Sequence, residues 1–275
     1  MNGWVSFLVG SGVMMGVFAL AWVSALRVNN YSWVDAIWAF SVGMLGWIWL
    51  GSGGGFGPKQ VGAGVILGFW SLRLGWHLQR RIRRIHPEED ARYAALREVW
   101  AGREKSAFFW FFEMQAISVI LLALPFWCIA VDPDRSWSGW ELMGSIMALL
   151  GIAGEGIADW QMSRFKARGG GSKAVCTEGL WRYSRHPNYF FEAVIWVGFY
   201  VYACGSEWGW ATIHAPVMII FLLLKVTGIP PTEAAAVRRK GQAYRIYQQT
   251  TSSFIPWLPK PLISSNIVAD EHDPH

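Results

Sequence analysis

Residues 179–192 read GLWRYSRHPNYFFE. Arg182, Arg185 and His186 fall within five residues, Pro187 and Asn188 follow, and the chain then enters an apolar run from Tyr189 to Cys204. Charges this close to hydrocarbon cost several kcal/mol unless something offsets them. A run of donors at the mouth of a membrane helix is suited to gripping a phosphate-bearing cofactor at the bilayer surface. The stretch therefore predicts helices set in lipid, with a polar site where they emerge.

Composition agrees. Of 275 residues, 53% are hydrophobic and 16% are charged, and 19 are tryptophan. Soluble domains carry about 25% charged residues, so lipid is the expected solvent. Seven apolar segments can be counted, at about 3–26, 32–50, 61–76, 108–131, 140–158, 189–204 and 213–227. The third and the last two fall short of the roughly 20 residues a span needs, and flanking Trp and helix continuation would lengthen them. The first is apolar for too long, and lacks a basic start, to be a cleaved signal. The expected fold is all-α, an integral membrane bundle of about seven transmembrane helices without an internal repeat.

Charge distribution orients it. Glycine-rich 51–57 and the link 132–139 read as tight turns on one side, with the longer links 79–107 and 161–185 on the other. With the latter in the cytoplasm, only Lys59 and Arg135 of the 24 Lys and Arg fall on the far side. This asymmetry puts the N-terminus outside and the C-terminus inside. The net charge of +5 is thereby explained by membrane orientation, without nucleic acid. Cys128, Cys176 and Cys204 are odd in number and fit no metal spacing, so no metal site is expected.

Three basic stretches collect on the cytoplasmic face: Arg80–Arg84 with the acids and Arg92 and Tyr93 after it, 164–185 around Gly169–Gly171, and 232–247 (TEAAAVRRKGQAYRIY). Contact with anionic lipid accounts for the first. The other two add acids, aromatics and an amide. Arg164, Lys166, Arg182 and Arg185 suit phosphates. Asp159, Glu192 and Glu233 suit ribose hydroxyls or an amide, and Tyr183, Tyr189, Tyr244 and Tyr247 suit a flat ring. No G-x-G-x-x-G follows a strand, so a dinucleotide would bind without a Rossmann fold. The third stretch is expected as one amphipathic interfacial helix. Within the spans, Asp35, Arg73, Glu113 and Glu155 are functional candidates by default, although Asp35 and Arg73 could simply neutralise one another.

The run GLWRYSRHPNYFFE, with YSWVDAIW (31–38), LRLGWHLQRR (72–81), EDARY (89–93) and TGIPPTEAAAVRRKGQAYRIYQQTTSSFIPW (227–257), resembles the membrane reductase family related to steroid 5-alpha-reductases, nearest its bacterial branch. RHPNY alone is less specific, because sterol reductases and isoprenylcysteine carboxyl methyltransferases share a similar element. The resemblance implies that residues 1–131 enclose a lipophilic substrate cavity and that 132–260 hold NADPH, while 261–275 read from their own composition as a polar tail. It also implies residence in a bacterial inner membrane, as a monomer or small oligomer. By position, Asp159, Arg164 and Lys166 match the polar end of span five. Asn188 and Glu192 match the amide and acid that hold the nicotinamide and ribose, and Glu233, Tyr244 and Tyr247 match the terminal cofactor helix. The mammalian enzymes' Glu in span two and Tyr in span three are absent here, where Asp35, Trp70 and Arg73 stand, and Pro230, Pro231 and Thr232 replace their basic residues before the last helix.

The expected reaction is hydride transfer from NADPH to the C=C bond of an enone in a lipophilic, steroid-like substrate. The catalytic candidates are Asp35, kept protonated to hydrogen-bond the carbonyl, with Arg73 and Tyr189. The rival enzyme is an S-adenosylmethionine-dependent membrane methyltransferase. A lipid-binding or scaffold protein that has kept the fold is the non-enzymatic alternative.

Overall fold

A computed structural model describes residues 3–170 and 173–261. Gly171 of the glycine run and the expected polar tail beyond Pro261 lie outside the described residues. Ten α-helices account for most of the described chain, and none of it forms a strand. They are α1 (Gly3–Val28), α2 (Trp33–Ser52), α3 (Pro58–Ile85), α4 (Ala91–Val99), α5 (Glu104–Val131), α6 (Gly139–Ala167), α7 (Pro187–Ala203), α8 (His214–Phe221), α9 (Ile229–Lys240) and α10 (Gln242–Thr250).

Among the described residues, five stretches are long and apolar enough to cross a membrane: α1, α2, α5, α6 and the run Gly209–Lys240. Two expected spans fall in helices outside that set. α3 is long but ends in Arg80, Arg81, Arg83 and Arg84, and α7 has 17 residues.

Packing groups the chain into two compact units. The first comprises the described residues up to Leu149 with Trp196–Met218, and the second comprises Leu150–Ile195 with the described residues from Ile219 on.

In the first unit α2 is the hub, packed on α1, α3 and α5. Small residues let it come close. A Cβ on Gly43 would lie 2.2 Å from Ser71 Oγ, and one on Gly46 would lie 2.4 Å from Leu67. The Ser71 hydroxyl donates to the Ala39 carbonyl at 2.9 Å, and the Trp49 indole donates to the Ser6 carbonyl at 3.1 Å. In hydrocarbon such backbone approach and polar stitching replace the hydrophobic drive. Pro125 inside α5 cannot donate to the Leu121 carbonyl. His214 Nε2 does so instead, at 2.9 Å.

The glycine turns at one end of this unit close over a buried ionic knot. Lys59 Nζ lies 2.8 Å from Asp132 and 3.4 Å from Glu141, and it donates to the Gly205 carbonyl at 2.9 Å. Glu141 also accepts from the Ser138 backbone at 2.7 Å, one half of a capping box that starts α6. Arg135 donates to the carbonyls of Gly53 and Gly55. The two cations that break the charge asymmetry are thus both tied to protein partners.

In the second unit α6 and α7 meet through Gly151 and Gly154, where added Cβ atoms would strike Ile195 and Phe191. α6 ends in a Schellman turn: Gly169 takes φ +89°, and the Gly170 N–H donates to the Phe165 carbonyl at 3.1 Å. The expected single terminal helix is two helices. Gly241, at φ 57° and ψ −133°, separates α9 from α10, in a conformation that costs a side chain heavily.

Candidate functional site

The RYSRHPN motif is strapped in place by the chain that follows α10. Arg185 N–H donates to the Ser252 carbonyl at 2.8 Å, and Trp257 N–H donates to the Tyr183 carbonyl at 2.9 Å. Ser184 Oγ donates to the Phe254 carbonyl at 2.8 Å and accepts the His186 N–H at 3.1 Å. Pro187 then opens α7 at a position where a missing N–H costs nothing.

Behind the motif, side chains converge on one carboxylate. Glu233 of α9 accepts from Arg185 Nε at 2.6 Å and from Gln248 Nε2 at 2.8 Å, and it faces His186 Nε2 at 3.2 Å. Arg185 also donates to the carbonyls of Gln248 and Thr251, at the end of α10. Tyr247 donates to the carbonyls of Trp181 and Ser184. Arg185, His186, Tyr244 and Tyr247 are all buried. Burial raises both tyrosine pKa values, with the Glu233 charge adding to it at Tyr244 and Tyr244 itself adding to it at Tyr247. These groups are the frame of the site, and their donors are largely spent on protein.

The open positions differ in kind. Arg164 and Lys166 are exposed at the end of α6, the former 5.2 Å over the Trp160 ring, and Asp159 is half-buried one turn earlier. Arg182 and Tyr183 are exposed after the short turn Gly179–Arg182. Tyr189 is half-buried, its ring stacked on His186 at 5.2 Å and its hydroxyl 3.3 Å from Thr232 Oγ1. Glu192 is buried one turn on. Asn188, on the first turn of α7, has a buried Oδ1 without a hydrogen-bond partner among the described residues. A buried acceptor left unpaired costs about 1–3 kcal/mol. It is an atom in this unit to which a ligand could bond, and an amide-bearing ring edge is suited to it.

The first unit holds a separate polar network. Asp35, in the first turn of α2, accepts from Arg92 Nη2 at 2.6 Å and from the Tyr93 hydroxyl. Arg92 of α4 thus pairs with Asp35, and Arg73 stands half-buried on α3. Asp90 caps α4 by accepting the Arg92 N–H at 3.0 Å, binds Arg92 Nε at 3.0 Å and pairs with Arg81. Burial opposes ionisation of Asp90, but the bonds and charge of Arg92, helped by Arg81, win and hold its pKa below the ordinary value. Burial also opposes the Arg92 charge, and the Asp35 and Asp90 carboxylates outweigh it. The Tyr93 phenol is pushed far up by burial and by the Asp35 charge. In this arrangement Arg92 and Tyr93 each place a hydrogen bond on one oxygen of Asp35. Reading the sequence missed Arg92 and Tyr93 as its partners; the acids crowded beside them in EDARY were the available signal.

A family profile described as a protein of unknown function, DUF1295, matches residues 21–251. An uncharacterised protein of Schizosaccharomyces pombe is 26% identical over 288 aligned positions, which cover 92% of this chain and 80% of the yeast protein. No solved structure matches.

Proposed function

The chain belongs to the DUF1295 family, and on that footing we propose that it is a membrane reductase that uses NADPH to reduce the C=C bond of an enone in a lipophilic substrate. The observation that carries this reading is the buried, unpartnered Oδ1 of Asn188 at the start of α7, in a unit whose exposed cations include Arg164, Lys166 and Arg182. The resemblance of residues 179–192 and 227–257 to steroid 5-alpha-reductase relatives supports it from the sequence side.

NADPH, when bound, supplies the hydride. The chain's own residues hold and orient. Asn188 and Glu192 take the amide and ribose, Arg164, Lys166 and Arg182 take phosphates, and Tyr183 and Tyr189 offer ring faces. Arg185, His186, Glu233, Tyr244 and Tyr247 keep the motif rigid behind them. In the first unit the donors for a substrate carbonyl belong to the Asp35–Arg92–Tyr93 network, with Arg73 a further candidate. A cationic guanidinium and a neutral phenol both stabilise oxyanion charge as it develops. Water kept out by lipid protects the hydride.

Seven spans complete the reading, with α3 and α7 crossing alongside the five more apolar stretches. The N-terminus is outside and the C-terminus inside, in a bacterial inner membrane. Titration of the purified protein with NADPH and with S-adenosylmethionine tests the assignment, because a ligand that binds the native state raises the melting temperature. NADPH is expected to raise it and the methyl donor to leave it unchanged. The reverse pattern would replace the reductase by a methyltransferase.

A further inference from the structure

The first unit carries a groove of about 390 Å³ that none of the roles above uses. Trp100, at the end of α4, lines it together with Arg103, Ser106, Ala107, Trp110, Phe111 and Met114. Counted from Arg103, the residue before α5, these positions fall at +3, +4, +7, +8 and +11, which sets them along one helical face. That face is left open: Trp110 is 66% exposed and Met114 69%. α5 packs elsewhere through other residues, with Phe109 against Trp22 of α1 and Phe108 stacked on Tyr31 just before α2.

The groove changes character along its length. Ala107, Trp110, Phe111 and Met114 are apolar, Arg103 and Ser106 stand at the other end, and no acid lines it. α5 is long and apolar enough to cross a membrane. The helix from Arg103 to Met114 rises about 16 Å, close to the roughly 15 Å of hydrocarbon in one leaflet. In a bilayer the groove therefore runs from the interface, at Arg103, toward the midplane, which is the path of a lipid acyl chain. Trp100 stands at the interfacial end, where tryptophan is favoured. The cation there is unspent. Among the described residues Arg103 is in no ion pair, and its neighbour Glu104 is taken by Arg97 and Tyr31. A guanidinium can meet a phosphate with two parallel hydrogen bonds. An uncharged lipophile would fill the apolar part of the groove and leave that guanidinium unanswered.

We propose that this groove is a binding site for one glycerophospholipid, its phosphate on Arg103 and one acyl chain laid along Ala107, Trp110, Phe111 and Met114. The site is separate from the NADPH and substrate roles and does not depend on the reductase reading.

Native mass spectrometry of the full chain in a mild detergent tests it, with dioleoyl phosphatidylglycerol and dioleoylglycerol as probes. The two share their chains and differ by the phosphate headgroup. A saturable one-lipid adduct is expected with the phospholipid and not with the diacylglycerol. Arg103→Gln is expected to weaken that adduct at least about tenfold, the size of a charge-assisted hydrogen bond. Arg84→Gln, which removes an exposed cation at the end of α3, should leave it within about twofold. The melting temperature of each variant reports folding. Should Arg103→Gln not fold, Ser106→Glu takes its place under the same criteria, because it sets an anion at the mouth of the groove. Equal loss from both arginine variants makes the attraction diffuse and overturns the site. Equal binding of the diacylglycerol, no loss in Arg103→Gln, or a spread of adducts without a one-lipid step overturns it as well.

Discussion

Asn188 and Glu233 are both polar residues near the RHPN motif, yet their environments make opposite demands. The Asn188 Oδ1 is buried with no partner, so removing it from the ligand-free protein sacrifices no bond. Asn188→Ala is expected to leave the melting temperature of the free protein nearly unchanged while the stabilisation by NADPH drops, with affinity lower by about 1–3 kcal/mol. Parallel thermal titrations read both quantities, and a large loss of stability without ligand would assign Asn188 to the frame. Glu233 gathers Arg185, His186 and Gln248. Glu233→Gln keeps the shape but leaves the buried Arg185 charge without its counter-ion, a loss of about 3 kcal/mol. Chemical denaturation is the measurement, and an unchanged midpoint would mean that the carboxylate is dispensable. RHPNY was legible in the sequence as the stretch on which the proposed site is built. Which of its members face Glu233 was not, because adjacent residues there point to different partners.

Among the elements, α4 shows how a short helix is held in a membrane protein's polar margin. It has nine residues, too few to be stable alone. Asp90 caps it, accepts from two arginines and receives its own backbone bond in return, since its N–H donates to Ser32 Oγ at 2.9 Å. Asp90→Asn keeps the cap, since Asn caps as well as Asp, and is expected to cost about 2 kcal/mol from the charge-assisted bonds to Arg81 and Arg92. The folded-state pKa of Asp90 is depressed. Its contribution is therefore complete above the unfolded value of about 3.9 and is lost as pH falls through the lower folded value. The melting-temperature gap between native and variant protein should be full at pH 7 and shrink below about pH 4. A gap independent of pH would remove the charge from the explanation. The splitting of the terminal helix at Gly241 belongs to this scale too: the amphipathic pattern continues through 232–247, but the glycine's backbone conformation breaks it.

For the whole molecule, the open question is how many helices cross. Five meet the length and apolarity of a span, and the charge asymmetry argues for seven. The two topologies differ at three exposed positions. In a seven-span protein Ser136 and Glu207 share the outer face and Arg84 is inside. In a five-span protein, where α3 and α7 do not cross, Arg84 and Glu207 share a face and Ser136 lies opposite. Single cysteines at these positions in a cysteine-free background, labelled from outside intact cells, are expected to react at 136 and 207 and not at 84. Labelling of 84 with 207 would establish five spans.

The sequence by itself determined the medium, the helical class, the orienting charge pattern and the stretch on which the proposed site is built. These are written in runs of neighbouring residues, where apolar length, glycine turns and basic loops act locally. Only the tertiary structure decided partnerships. Asp35 meets Arg92, 57 positions away, and Arg185 meets Glu233, 48 positions away. With 24 basic side chains available, the choice depends on which helix faces come together, and nothing short of the packed chain specifies that.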